Sequence, residues 1–317
     1  MTDTGRSGGA DRPASPGGER ARPDTPTTLS PRRTGMLPPA GPRGPGEPVL
    51  RRADWTFPAP PVDREVRRAL PDDPDPARPP LLFVHGAAMG AWAFEFWLEA
   101  AAEAGWRAYA VSLRGHGGSQ RPPGFRRATL RHYQHDVLQA ISGLPAPPVL
   151  VGHSMGALVV QGVLERYRSA PAGVLVCPAP ARHGLRAVGA LLRHDPGAMA
   201  RALAGRRPTP ARAALFGEQV DADVAASVVA RMGEESLLAA LQVALPRRDF
   251  DVGRPVKVIG GELDRLIPPA TVARTARHLG TRAHLYVGMG HLLMLERGWR
   301  APLGLLLDWL EDVAVTR

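Results

Sequence analysis

A chain of 317 residues can hold one sizeable domain with an appendage. Its net charge of +10 comes almost wholly from arginine, Lys257 being the one lysine. The basic residues fall in ones and twos, as in Arg51-Arg52 and Arg126-Arg127, with no sustained basic stripe or interleaved aromatics, so the composition argues against a nucleic-acid surface. A single cysteine, Cys177, excludes an intramolecular disulfide, and no segment reaches the roughly 18 uninterrupted apolar residues of a membrane span.

Residues 1–47 are dominated by Gly, Pro, Arg, Ser, Thr and Asp without apolar periodicity, and are expected to form a disordered tail. Arg32 and Arg33 are not followed by the apolar stretch of a secretory leader, because prolines break residues 35–42. The expected compartment is the cytoplasm. From residue 48 to 317 one domain is expected, with strands near 62–69, 81–85, 107–112, 148–153, 173–177, 255–260 and 283–287. Helices are expected near 91–104, 129–142, 155–168, 269–279 and 300–313. This alternation predicts an α/β fold, a mainly parallel sheet covered by helices on both faces.

The most informative element is Gly152-His153-Ser154-Met155-Gly156, directly after the apolar run Pro148-Val149-Leu150-Val151. It reads as a strand delivering a serine onto a sharp turn before a helix, with glycines where a Cβ would clash. Met155 then lies at a helix N-terminus, with its backbone N–H available to an anion. A serine hydroxyl is a poor nucleophile at neutral pH and needs a histidine base, oriented by an acid. In the strand-turn-helix form of such a site the chain order is serine, acid, histidine.

From about residue 182 to 246 there is no convincing strand; Ala, Leu, Met and Arg dominate, and 185–192, 198–203, 222–232 and 234–245 have helical character. This predicts a helical cap inserted between two core strands, lying over Ser154 and shaping the pocket beneath it. Beyond it, the strand Pro255–Gly260 runs into the loop Gly261-Glu262-Leu263-Asp264, where Asp264 is the candidate acid and Glu262 its substitute. The segment 173–182, an alternative place for the acid, holds no carboxylate. The strand Ala283–Val287 leads into Gly288-Met289-Gly290-His291, which makes His291 the candidate base. His116 precedes the serine and reads as loop structure, His153 as packing beneath the turn, and His85 as a loop-ordering residue.

Four segments, Leu81-Leu82-Phe83-Val84-His85-Gly86, Ser112-Leu113-Arg114-Gly115-His116-Gly117-Gly118-Ser119, the Ser154 turn, and the Asp264 and His291 loops, together resemble the α/β-hydrolase superfamily over roughly residues 62–315. The resemblance implies the α/β-hydrolase fold, a triad of Ser154, Asp264 and His291, and an oxyanion hole from the backbone N–H groups of Met155 and Ala87. His85, Gly86, Met89 and Trp92 are candidate substrate-binding residues. The expected activity is cofactor-independent and metal-free cleavage of a carboxylic ester through an acyl-enzyme; the cap and turn are similar to monoacylglycerol lipase and lysophospholipase-like members. The alternatives are the same triad acting on a thioester, lactone or carbon–carbon bond, and a non-catalytic ligand-binding protein of this fold. Epoxide hydrolase and haloalkane dehalogenase relatives carry aspartate as nucleophile, against which Ser154 argues. The expected partner is a small acyl ester, and the scattered positive charge suits steering toward an anionic lipid surface.

Overall fold

The computed structural model describes residues 59–181, 195–203, 212–218, 220–245 and 250–315, with the isolated positions 34–35, 189 and 193. The expected tail over 1–47 therefore lies outside the described residues, apart from Thr34–Gly35. So does the helix expected over 185–192, apart from position 189.

The sheet is built from β1 (Thr34–Gly35), β2 (Val66–Ala69), β3 (Leu81–Val84), β4 (Ala108–Val111), β5 (Val149–His153), β6 (Gly173–Val176), β7 (Val256–Gly261) and β8 (Ala283–Tyr286). Their spatial order is β1-β2-β4-β3-β5-β6-β7-β8. The β1–β2 and β2–β4 pairs are antiparallel, and β3 to β8 run parallel. The chain steps from β3 outward to β4 and then returns to the other side of β3 with β5. That reversal falls between β3 and β5, and the carboxyl ends of strands at such a switch point are where open α/β sheets bind ligands.

The central strands β3 and β5 are buried along their whole length, which explains why they read as unbroken apolar runs. Alternate residues feed two cores. Leu81 and Phe83 face one that includes Trp97 of α1 (Glu95–Glu103) and Leu306 and Leu310 of the C-terminal helix α9 (Arg300–Val315). Leu82 and Val84 face the other, with Tyr133 of α2 (Leu130–Ser142), Leu158 of α3 (Met155–Arg166) and Val272 of α8 (Pro269–His278). Local chemistry sets the helix ends. Thr129 caps α2, its hydroxyl accepting from the His132 N–H while its own N–H donates to the His132 ring. Pro269 begins α8, where a missing N–H costs nothing.

Between β6 and β7 the described residues form four helices, α4 (Pro196–Leu203), α5 (Arg212–Leu215), α6 (Ala222–Arg231) and α7 (Leu237–Ala244). The helix expected from residue 234 begins only at Leu237. Ser236 is its N-cap and is anchored from the other side, its hydroxyl donating to the Ala128 carbonyl at 2.6 Å. Residues 232–236 are thus freed as an irregular link that reaches into the core. The strand expected over 62–69 is similarly shorter. Only residues 66–69 join the ladder, while Glu65 accepts from the Ser112 hydroxyl at 2.6 Å and from the Gly118 N–H at 2.8 Å and so braces the loop after β4.

Candidate active site

Ser154 follows β5 with φ +52 and ψ −119, a conformation that L-residues avoid unless surrounding structure enforces it. Close packing is that enforcement. A Cβ on Gly152 would lie 2.6 Å from the Gly156 carbonyl oxygen, and one on Gly156 would run into the carbonyl oxygens of Val84 and His85. The turn therefore seats directly on the end of β3. Backbone bonds tie it to β6 as well: the Ser154 N–H donates to the Val176 carbonyl at 2.9 Å, and the Ser154 carbonyl accepts from Ala179 at 3.2 Å.

The structure brings Ser154, His291 and Asp264 together. His291 Nε2 lies 2.9 Å from Ser154 Oγ, and its Nδ1 lies 2.7 Å from Asp264 Oδ2. With Nδ1–H donating to a carboxylate, the neutral ring keeps its lone pair on Nε2, facing the hydroxyl. Asp264 is itself held: its Oδ1 accepts from the N–H groups of Leu266 at 2.9 Å and Ile267 at 2.7 Å. Asp264 and His291 are both 3% exposed, whereas Ser154 is partly open, so the hydroxyl is the accessible end of an otherwise buried hydrogen-bonded line. Glu262 is elsewhere, an exposed side chain accepting weakly from the Gly288 N–H at 3.4 Å.

Of the other candidates, Gly86 and Met155 adjoin the serine, whereas Met89 and Trp92 belong to the core. A Cβ on Gly86 would lie 3.0 Å from Ser154 Cβ, which puts the start of the Gly86-Ala87-Ala88 turn against the serine; Ala87 is exposed and Ala88 has φ +61. Met155 begins α3, so its N–H belongs to the set without an intrahelical acceptor. His85 Nδ1–H donates to the Gly86 carbonyl at 2.7 Å while its Nε2 accepts from the Leu113 N–H at 3.0 Å. Burial, with His116 adding to it, drives the His85 pKa down to about 3, so the ring stays neutral and acts as a strut between two loops. His153 is fully buried, its Nε2 2.9 Å from the His291 carbonyl, and burial holds it neutral too. Met89 and Trp92 are buried at 3% and 4% exposure in the first core, with the Arg231 guanidinium 4.5 Å above the Trp92 ring.

Sequence reasoning missed two buried carboxylates. Glu235, in the link before α7, accepts from four groups: the Ala88 N–H at 3.0 Å, the Tyr133 hydroxyl at 2.5 Å, the Ser236 N–H at 2.7 Å and His116 Nε2 at 3.1 Å. His116 Nδ1 meets the Arg114 carbonyl at 3.0 Å, so both ring nitrogens face acceptors, an arrangement that favours the protonated ring. Burial opposes that charge, yet the Glu235 carboxylate outweighs it and raises the His116 pKa. Reciprocally, burial favours protonated Glu235, but His116 and the other donors bring its pKa below the ordinary carboxylate value. Glu296 accepts from the Gly290 N–H at 2.9 Å and the Gly217 N–H at 3.0 Å, bracing the turn that carries His291. Burial raises its pKa to about 7 despite these bonds. A break in helical patterning at Gly233 and a lone carboxylate after the apolar run Leu292–Leu295 were the available signals.

Cys177 lies one residue beyond β6 with φ +44, and among the described residues its sulfur, Asp264 and His291 place donor atoms within 4.8 Å of one another. Burial and the nearby Asp264 charge push the thiol pKa far up, which disfavours the thiolate a metal would need.

Residues 81–301 match the model of a family described as "Alpha/beta hydrolase family". Epoxide hydrolase A of Mycobacterium tuberculosis is 30% identical over 117 residues, and the match spans about a third of either protein, 36% of each. A thermophilic esterase from Thermogutta terrifontis superposes with a TM-score of 0.62 at 22% identity, covering 80% of this chain and 94% of that one. An esterase from Exiguobacterium antarcticum gives 0.62 at 15% identity, covering 79% and 96%. The enol-lactonase of Burkholderia xenovorans gives 0.57 at 22% identity, covering 79% and 97%.

Proposed function

Because the chain belongs to the alpha/beta hydrolase family, and is on that ground a hydrolase, we propose that it cleaves a carboxylic ester of a lipophilic acyl group through an acyl-enzyme on Ser154. The observation that carries this reading is the 2.9 Å approach of His291 Nε2 to the hydroxyl of a serine held at positive φ, with Asp264 at 2.7 Å behind the ring. In this reading Ser154 Oγ attacks the ester carbonyl as His291 Nε2 takes its proton. The negative charge that develops on the carbonyl oxygen is met by the Met155 and Ala87 N–H groups, and fixed donors of this kind typically lower a barrier by about 3 kcal/mol each. Collapse expels the alcohol, which leaves with the proton from His291. Water then gives its proton to the same nitrogen and attacks the acyl carbon, and the acid departs from a regenerated serine. Asp264 stays ionised throughout, holding the tautomer and offsetting the charge on the imidazolium.

The likeness to an epoxide hydrolase does not extend the reading to epoxide opening, since a serine stands where those relatives carry the attacking aspartate. The lipophilic acyl group, of the kind found in monoacylglycerols and lysophospholipids, rests on the resemblance of the Ser154 turn and the inserted segment to those members, since Met89 and Trp92 are core residues at 3% and 4% exposure. The test is a series of nitrophenyl esters from acetate to laurate. A burst of nitrophenolate followed by slower steady turnover is expected, since acylation then precedes a distinct deacylation step. Absence of hydrolysis across the series would overturn the ester reading. Cleavage of lactones or thioesters alone would keep the nucleophile and change the substrate class.

A further inference from the structure

The residues that would hold the oxyanion donors are not confined to the core sheet. Ala88, next to the proposed donor Ala87, is buried to 1% exposure and sits at φ +61 without being glycine, a conformation that needs external support. The support comes from the inserted segment. The Gly233 N–H donates to the Ala88 carbonyl at 2.7 Å, and the Ala88 N–H donates to Glu235 Oε2 at 3.0 Å, so both backbone groups of this one residue are clamped by the link between α6 and α7. A little further on, Arg231 covers the Trp92 ring and pairs with Glu95 at 3.1 Å, fastening the other end of the same loop.

We infer that Glu235 is a positioning residue for the oxyanion loop: by fixing Ala88 it aims the Ala87 N–H at the reacting carbonyl, and so couples the placement of the insert to transition-state stabilisation. The inference deepens the ester-hydrolase reading and rests on it. A carboxylate whose side chain is only 8% exposed is a costly way to gain stability alone, because its lost hydration is offset only by well-placed partners. Here those partners are four donors converging on two oxygens, from the oxyanion loop, from the loop carrying His116, from α2 and from the link itself. The arrangement locks the relative position of three core segments and the insert at the point where a misplacement of about 1 Å can cost 10²-fold in rate. The charge states agree with it, His116 being driven toward the imidazolium and Glu235 toward the carboxylate by one another.

The test compares wild type with Glu235→Ala, Glu235→Gln and the control Glu234→Ala, whose carboxylate pairs with Arg121 at the surface. Four quantities are read: kcat and KM on a soluble ester, inhibition by a trifluoromethyl ketone that mimics the tetrahedral oxyanion, and Tm. Glu235→Ala should lose kcat by at least about tenfold with KM within about twofold, and bind the ketone more weakly in the same proportion, as a defect confined to the transition state requires. Glu235→Gln keeps the shape and one acceptor but sets its NH₂ against either Ala88 or Ser236, so its kcat should lie several-fold below wild type and above that of Ala. Glu234→Ala should match wild type. A purely structural role would lower Tm without the kcat loss or the parallel loss of ketone affinity. Unchanged kcat and ketone affinity in folded Glu235→Ala would overturn the inference while leaving the hydrolase reading intact. If that variant does not fold, the same result in Glu235→Gln has the same meaning. A loss confined to KM would also overturn it. An inert wild type would remove the ester reading, and this inference with it.

Discussion

Ser154 and Asp264 show how side-chain chemistry and backbone geometry divide the work at single positions. The serine is held at positive φ by its packing, so its hydroxyl is presented without the help of its own side chain. The aspartate is held by two backbone N–H donors on one oxygen, which leaves the other for His291. Asp264→Asn should therefore fold with nearly unchanged Tm yet lose about 10⁴ in kcat, because an amide favours the wrong imidazole tautomer and cannot balance the imidazolium. Steady-state kinetics beside a melting curve checks this, and a loss of less than tenfold would point to another acid. Both residues were legible in the sequence because each follows a short apolar strand and stands on a glycine-marked loop. Their mutual distances were not, since the fold alone sets that Asp264, the acid expected, reaches His291 while its substitute Glu262 turns to the surface.

At the scale of elements, the turn after β5 and the insert make different demands. Gly156 has the backbone oxygens of Val84, the last residue of β3, and of His85 where a Cβ would be, and backbone cannot step aside as a long side chain can. Gly156→Ala should consequently lower stability by about 2 kcal/mol or more, in line with overpacking of a tight contact, and thermal unfolding will show it as a depressed Tm; an unchanged Tm would mean that β3 and the turn are further apart than described. The insert contributes to both working loops. Its Leu215 carbonyl accepts from the His291 N–H at 2.9 Å, and its Gly233 and Glu235 grip Ala88. Cavity-changing substitutions elsewhere in the insert, away from these anchors, should shift preference between short and long acyl esters, by about 1 to 3 kcal/mol per methylene gained or lost, while labelling of Ser154 by a small phosphonate stays close to wild type. A uniform loss over all chain lengths would make the segment a support and not a pocket. The helical character of the insert was readable from its composition, but Glu235 was read as part of a helix starting at residue 234. Its partners Ala88, His116 and Tyr133 are more than a hundred residues away in sequence, and no local pattern encodes such a convergence.

For the whole molecule, buried carboxylates link the site to pH. Glu296 has its pKa raised from 4.5 to about 7 by burial. A raised carboxyl pKa means that the folded protein binds a proton which the unfolded chain has released, so stability falls as pH rises across the window from about 4.5 to about 7. The full effect amounts to about 3 kcal/mol. Glu296→Gln should flatten this dependence, giving denaturant midpoints that differ less between about pH 5 and about pH 8 than in wild type. An identical pH slope in the two proteins would show that Glu296 titrates normally. Among the described residues no helix is long and apolar enough to cross a membrane. The overall α/β alternation was legible from the sequence because the central strands are continuous apolar runs. The edge was legible only in part: β2 falls within the strand expected over 62–69, but its antiparallel direction was not read, nor was β1, which is only Thr34–Gly35.

The central claim is that Ser154 is a nucleophile activated by His291, and intact-mass measurement after treatment with a fluorophosphonate tests it most directly. One phosphonyl group per chain is expected, mapped by peptide sequencing to Ser154, absent from Ser154→Ala and formed far more slowly in His291→Ala, with ester hydrolysis lost in the same variants. Ester hydrolysis that survives in Ser154→Ala, or an adduct that maps to another residue, would contradict the account.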